Sequence, residues 1–317
     1  MRRVLGALVA ATFVLAGCGG YDDTEVPDPP AAAAPSIPEA APPQSCRDAT
    51  ASYAPSGSVD ELLGTAAVQR IRDRGRIVAG VSADSYLLGS NNPLTGQIEG
   101  FDIDLVNAIA RAIWGTATGH VQLRVITAAE RIPLLQSNEI DLVARNMTMT
   151  CDRWKEVAFS AEYYRAGQKV LVRRDLADRV DGPEDLAGLR VCAPSGTTSL
   201  QNLVDRAPDA EVVVATNHTE CLAKLQRGET DAITGDDTVL AGLAAQDPYA
   251  VVPQQEAFTA EPYGIAVNQD NVDLVRFVNA VLEQMRADGD WQASYDRWLG
   301  PTLGKGTGQP RPVYGRA

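Results

Sequence analysis

The chain has 317 residues, 45% of them hydrophobic, with 28 lysines and arginines against 41 aspartates and glutamates for a formal net charge of -13 at pH 7. That balance excludes nucleic acid as a partner, because phosphates demand clustered Lys and Arg, and it opposes binding to anionic surfaces. It says nothing about the fold.

Residues 1–17 open with Arg2 and Arg3 and continue as an uncharged, mostly apolar run to Ala16. The run is well short of the ~20 apolar residues a bilayer-crossing helix needs, and small residues close it, so it reads as an export signal. Leu15-Ala16-Gly17-Cys18 resembles the lipobox of bacterial lipoproteins. That resemblance implies cleavage before Cys18 and acyl chains, such as palmitate, on its sulfur and freed amine. Such chains would hold the protein at the outer face of the cell membrane. The alternative is an ordinary signal peptide with an incidental cysteine. Residues 18–45 are dominated by Pro, Ala and acidic residues, including Pro27, Pro29, Pro30, Pro35, Pro38, Pro42 and Pro43. With almost nothing to bury, this stretch reads as an extended, semi-rigid tether.

From Cys46 to Gly300 the chain exceeds one ordinary domain and falls short of three, since domains commonly run ~100–200 residues, so two lobes are expected. Residues 76–81 read as a strand, and 101–114 as a helix with Phe101, Leu105, Val106, Ile109 and Ile113 at helical spacing. Residues 121–126 alternate like a strand, 132–136 form a short helix with Pro133 in its first turn, and 140–145 are the next strand. A strand at 169–173 then starts a second series: strand 189–193, helix 197–206, strand 211–215, helix 219–227. Residues 262–267 resemble a return strand, followed by helices at 272–286 and 291–299. The order implies an α/β fold with mainly parallel sheets covered by helices. Lobe 1 is expected from residues 46–168 plus 259–300, lobe 2 from 169–258, and a tail from 301–317. Two crossings between lobes make a hinge.

An internal likeness supports the two halves. Leu135, Gln136, Glu139 and Asp141 recur as Leu225, Gln226, Glu229 and Asp231, each set spanning a helix end, a turn and a buried strand. The strands run into Arg145-Asn146-Met147-Thr148 and Thr234-Gly235-Asp236-Asp237. Ligands of open α/β sheets bind outside the carboxyl ends of strands, so the two polar stretches should face one cleft. Chance likeness of two unrelated units is the alternative.

Four of the five cysteines lie beyond Cys18: Cys46, Cys151, Cys192 and Cys221. An even number in an oxidising compartment reads as disulfides, with three possible pairings. Cys192 ends a strand and Cys221 opens the helix after the next strand, which places them side by side; Cys46–Cys151 follows by elimination. Metal binding is disfavoured, since no close Cys pair exists and the only histidines, His120 and His218, lie far apart.

Several stretches between Arg76 and Gly300 resemble the type II periplasmic amino-acid-binding proteins. They are Gly100-Phe101-Asp102-Ile103-Asp104-Leu105, Met147-Thr148-Met149-Thr150 with Arg153, Ala158-Phe159-Ser160 with Tyr163-Tyr164, Leu186 to Val191, Ser195-Gly196-Thr197-Thr198, and Tyr263-Gly264-Ile265-Ala266-Val267. Residues 80–105, with the lipobox, are most similar to the glutamate- and glutamine-binding lipoproteins.

The resemblance implies the two-lobed type II fold and capture of a small polar amino acid. Arg153 matches the arginine that grips the α-carboxylate, with the bidentate fork that suits it. Asp236 matches the carboxylate that accepts the α-ammonium. Thr148 and the backbone near Gly196, Thr197 and Thr198, at a helix start, would add donors to the carboxylate. Met147, Tyr86 and Tyr164 are expected on the cleft walls, Tyr86 from the loop after the first strand; core packing is the alternative for Tyr164 and Phe101. Arg145-Asn146 departs from the Ala-Gly common in relatives, and Pro194 replaces a lysine found in some glutamine binders. Arg145 is therefore expected either to pair with a ligand side-chain carboxylate, favouring glutamate or aspartate, or to form a salt bridge within its lobe.

A monomeric binding protein without cofactor or metal is expected. Its partner is a membrane permease of an ABC importer or a membrane signalling receptor. Dehydratases and peptidoglycan lyases share this fold, but His120 and His218 fall outside the expected ligand segments and no nucleophile–His pair is evident. Asp84 and Asp237 remain as candidate bases for such an enzyme.

Overall fold

Residues 36–38, 46 and 48–317 are described by a computed structural model; the export signal, Cys18 and nearly all of the tether lie outside these residues. β1 (Ala51–Tyr53) precedes two helices, α1 (Val59–Leu62) and α2 (Ala66–Arg74), the first closed by a reciprocal capping box between Ser58 and Glu61. β2 (Ile77–Val81) enters the first large sheet, while β3 (Asp84–Ser85), β4 (Gly89–Asn91) and β5 (Ile98–Glu99) form a small antiparallel one. Then come α3 (Phe101–Trp114), β6 (Val121–Val125), α4 (Arg131–Gln136), β7 (Leu142–Val143), a 3₁₀ turn over Arg153–Lys155 and β8 (Val157–Phe159).

β9 (Tyr164–Arg173) leads into the second large sheet. It is followed by β10 (Arg190–Pro194), α5 (Thr198–Arg206), β11 (Glu211–Ala215), α6 (His218–Gln226), β12 (Ala232–Asp236), α7 (Asp237–Gln246), β13 (Ala250–Val251) and β14 (Thr259–Tyr263). β15 (Ala266–Asn268) rejoins the first sheet, before α8 (Val272–Asp288), α9 (Asp290–Trp298), α10 (Gly300–Leu303) and β16 (Val313–Arg316).

The first sheet runs β6-β2-β7-β15-β8 and the second β11-β10-β12-β9-β13, with β14 also on β9. In each, the pairs on one side are parallel, β2 with β6 and β7, β10 with β11 and β12, and those on the other side antiparallel. Helices cover both faces, which is what parallel strands require. Along β9 the period of two is explicit: Val170 and Val172 pack with Val191 and Leu200 on one face, and Leu171 with Ile233 and Leu240 on the other. The expected helix at 101–114 is present and buries Phe101, Leu105, Val106, Ile109 and Ile113.

β9 and β14 carry the chain between the sheets, paired from Gln168↔Thr259 to Tyr164↔Tyr263. The single strand expected at 262–267 is therefore broken: Tyr263 closes β14 and Ala266 opens β15, because the chain changes sheets between them. Both expected disulfides form, Cys46–Cys151 and Cys192–Cys221, each with Cα atoms 5.6 Å apart. Residues 301–317, read from sequence as a tail, are instead built in, since β16 pairs in parallel with β1 through Ala51↔Val313 and Ser52↔Tyr314.

Candidate functional site

The carboxyl ends of the strands in both sheets meet at one small, partly open cavity of about 20 Å³. Ser85, Ala128, Arg131, Arg145, Asn146, Thr148 and Arg153 line it from the side of the first sheet, and Pro194, Thr197, Thr198, Ser199, Asn217, His218 and Asp236 from the second. This is the crevice that α/β topology predicts.

Three arginines converge there. Arg131, at the start of α4 and 3% exposed, donates to the carbonyls of Ala128 (2.9 Å), Arg145 (3.3 Å) and Gly196 (2.9 Å). Arg153, in the 3₁₀ turn, donates to the carbonyls of Thr148 (2.7 Å) and Gly196 (3.3 Å). Arg145 is 7% exposed, and its Nε is buried with no hydrogen-bond partner among the described residues. None of the three forms a salt bridge among those residues, so the alternative of an intra-lobe ion pair for Arg145 is not realised. Burial pulls all three guanidinium groups below their ordinary pKa; Arg131 is pulled furthest, with Arg153 and Arg145 as like charges beside it. Carboxylates act on the three only from beyond salt-bridge distance, among them Asp102 on Arg145 and Asp236 on Arg131 and Arg153, so the cluster can still gain from a directly bound anion.

Opposite lies Asp236, the last residue of β12. Tyr263 donates its hydroxyl to Oδ2 at 2.6 Å, while Oδ1 is buried without a partner among the described residues. Burial raises this carboxyl well above its usual pKa, Glu261 adds to the rise, and Tyr263 and Arg131 oppose it. Glu261, 2% exposed, accepts the hydroxyls of Thr148 and Thr198, one from each side of the cavity, both at 2.7 Å on Oε2. Its Oε1 accepts from Thr259 (2.6 Å) and Asn202 (3.0 Å). A hydroxyl has one hydrogen to give. Thr148 and Thr198, 3.2 Å apart, thus both have Glu261 as an acceptor, so in this arrangement neither hydroxyl hydrogen is reserved for a ligand carboxylate. Backbone N–H groups at the start of α5 remain for that task; there Thr197 caps the helix by accepting from Leu200 N at 3.1 Å.

The other expected site residues sit elsewhere. Met147 is fully buried with Ile126, Leu135 and Phe159, and Phe101 is fully buried in the core. Tyr164 lines a separate groove of about 700 Å³ with Trp291 and Tyr295. Tyr86 is 46% exposed; it approaches α7, where a Cβ on Gly242 would fall 2.6 Å from the Tyr86 carbonyl oxygen and 3.4 Å from its Cβ. Conversely, His218 lines the cavity although the sequence placed it outside. Its Nε2 lies 3.3 Å from the Thr234 carbonyl, and burial lowers its pKa to about 4. His120 stacks on Trp114 instead. Arg131 was also missed, although its place, opening a helix directly after β6, is a strand's carboxyl end like that of Thr148.

The two sides touch directly. Gly196, at φ 71°, offers its carbonyl to Arg131 and Arg153, and a Cβ there would sit 2.7 Å from Ala129 Cα. Thr219 donates to the Asp84 carbonyl at 3.2 Å. Among the described residues no group of acidic, His or Cys side chains is arranged to hold a metal, and no helix is long and apolar enough to cross a membrane.

Two α/β halves joined by two crossing strands, with cations and a carboxylate facing each other across the seam, define a two-lobed type II ligand-binding protein. Residues 77–301 match the bacterial extracellular solute-binding proteins, family 3, and the chain belongs to that family. It is 39% identical over 230 residues to the ABC transporter glutamine-binding protein GlnH of Bacillus subtilis, covering 72% of this chain and 83% of that one. It is 32% identical over 244 residues to the glutamate-binding protein GluB of Corynebacterium efficiens, covering 74% and 80%. A solved ancestral arginine-binding protein bound to glutamine matches with a TM-score of 0.67 at 35% identity, covering 72% of this chain and 99% of its own.

Proposed function

We propose that the protein captures a small polar amino acid between its lobes, glutamate or aspartate in preference to glutamine or asparagine, and delivers it to an ABC importer. One observation carries this reading: two buried guanidinium groups, Arg131 and Arg145, and the partly buried one of Arg153, without salt-bridge partners among the described residues, face an aspartate with one oxygen unpartnered among those residues. Arg153 and the start of α5 take the α-carboxylate. Asp236, with the lone pairs of Thr148 and Thr198, takes the α-ammonium. Arg131 and Arg145 take the side-chain carboxylate, which a neutral carboxamide would leave uncompensated.

The relatives named above are binding proteins, one of them of an ABC transporter, so the chain is a binding protein and not an enzyme. The lobes, residues 46–168 plus 259–300 and residues 169–258, close as rigid bodies about β9 and β14. Cys18, lipidated, holds the monomer to the outer face of the membrane, a reading supported by the Leu15–Cys18 motif alone. Calorimetry with L-glutamate, L-aspartate, L-glutamine and L-asparagine tests the ligand: an acidic ligand should bind tightest, and a preference for glutamine would overturn the assignment. The mass of the exported protein with and without Cys18→Ser tests the anchor.

A further inference from the structure

Arg153 forms no salt bridge among the described residues; its guanidinium rests on the Thr148 and Gly196 carbonyls, and it sits in a turn of only three residues. Its neighbours are fastened as well. Cys151, two residues before, is bonded to Cys46. Trp154, the next residue, donates its indole N–H to the Ala49 carbonyl at 2.7 Å and meets Tyr53 and Phe159 edge-on at 6.1 and 5.3 Å. On its face lies the Arg316 guanidinium, 3.6 Å from the ring centroid, itself donating to the Ala51 carbonyl at 2.7 Å. Ser52 donates to the Phe159 carbonyl at 2.7 Å, and Asn279 of α8 donates to the Tyr53 carbonyl at 2.7 Å. Most of these holds come from β1, β16 or the segment leading into β1; the core under Trp154, Phe159 included, and Asn279, acting through β1, supply the rest. β1, β16 and the segment leading into β1 lie outside residues 77–301, which match the family.

We propose that Trp154 and Arg316 are positioning residues for Arg153: the β1–β16 pair, with the Cys46–Cys151 bond, forms a clamp that presets the guanidinium for the ligand carboxylate. A site held in its productive geometry before binding loses less freedom on capture. The effect on affinity rests on the reading of Arg153 given above; the effect on the turn does not.

Hydrogen exchange of residues 150–156 and calorimetry with L-glutamate, both on the full chain, separate the two. In Arg316→Ala, exchange of that segment in ligand-free protein should rise about tenfold and Kd for L-glutamate about tenfold. Tenfold corresponds to about 1.4 kcal/mol. The Kd change should come through faster dissociation, with exchange in the two large sheets unchanged. Arg316→Lys keeps a cation over the ring and should restore much of both. If Arg316→Ala folds poorly, Cys46→Ser with Cys151→Ser gives the same readout. The pair Cys192→Ser and Cys221→Ser, remote from the clamp, should leave residues 150–156 unaffected. Exchange and Kd within about twofold of the wild type in both clamp variants would overturn the proposal, as would faster exchange with unchanged Kd. If the wild type binds none of the four amino acids, the ligand assignment fails and exchange alone judges the clamp.

Discussion

Arg145 Nε and Asp236 Oδ1 are buried, unpartnered among the described residues and part of groups opposite in sign, and the two groups line one cavity. Asp236→Asn should weaken capture of any amino acid by about 2–5 kcal/mol, as expected when one member of a buried charge pair is removed, measured by calorimetry. Arg145→Met should act differently, lowering affinity for L-glutamate by about tenfold or more while changing that for L-glutamine less. His218 supplies a pH test. Its folded pKa of about 4 lies below the ordinary 6.5, so the neutral form favours folding; that contribution is complete above pH 6.5 and is lost as pH falls towards 4. Thermal melts should show the wild type losing stability relative to His218→Gln across this window. Arg153 and Asp236 were legible because each lies in a short recognisable string, whereas Glu261, Arg131 and His218 reach the cavity only through the packing of separate elements.

Among the elements, those with strong periodicity were read directly: α3 from its apolar spacing, and β2 and β10 as runs of apolar residues. β1 and β16, three and four residues long, carry no such pattern, and their partners lie more than two hundred residues apart. The turn before α5 makes its own prediction. Gly196→Ala adds a Cβ 2.7 Å from the backbone of Ala129 at a positive φ, so the lobes cannot meet there. Ligand affinity should fall at least about tenfold, and small-angle scattering in saturating L-glutamate should report a more open molecule. Glu261→Gln turns one of two doubly occupied acceptor oxygens into a donor, so either Thr148 and Thr198 or Thr259 and Asn202 lose their acceptor, which should weaken the α-ammonium end.

At the scale of the molecule, each half carries one disulfide of its own, Cys46–Cys151 in the first and Cys192–Cys221 in the second. Removing Cys192–Cys221, which closes a separation of 29 residues, should cost about 2–4 kcal/mol and lower Tm, checked by calorimetric melts of the serine variant. The two-lobed plan was legible because the α/β series appears twice, and the crossing strands were harder because their sequence does not change where they change sheets. Leaving and returning on adjacent antiparallel strands, at Tyr164 and Tyr263, the chain encloses one half of the pocket as a cassette. Asp236, His218, Thr197 and Thr198 travel with that cassette, while Arg131, Arg145 and Arg153 stay behind. Recombination at those two points with a relative would exchange one pole of the pocket without touching the other, so chimeras offer a route to new ligand preferences.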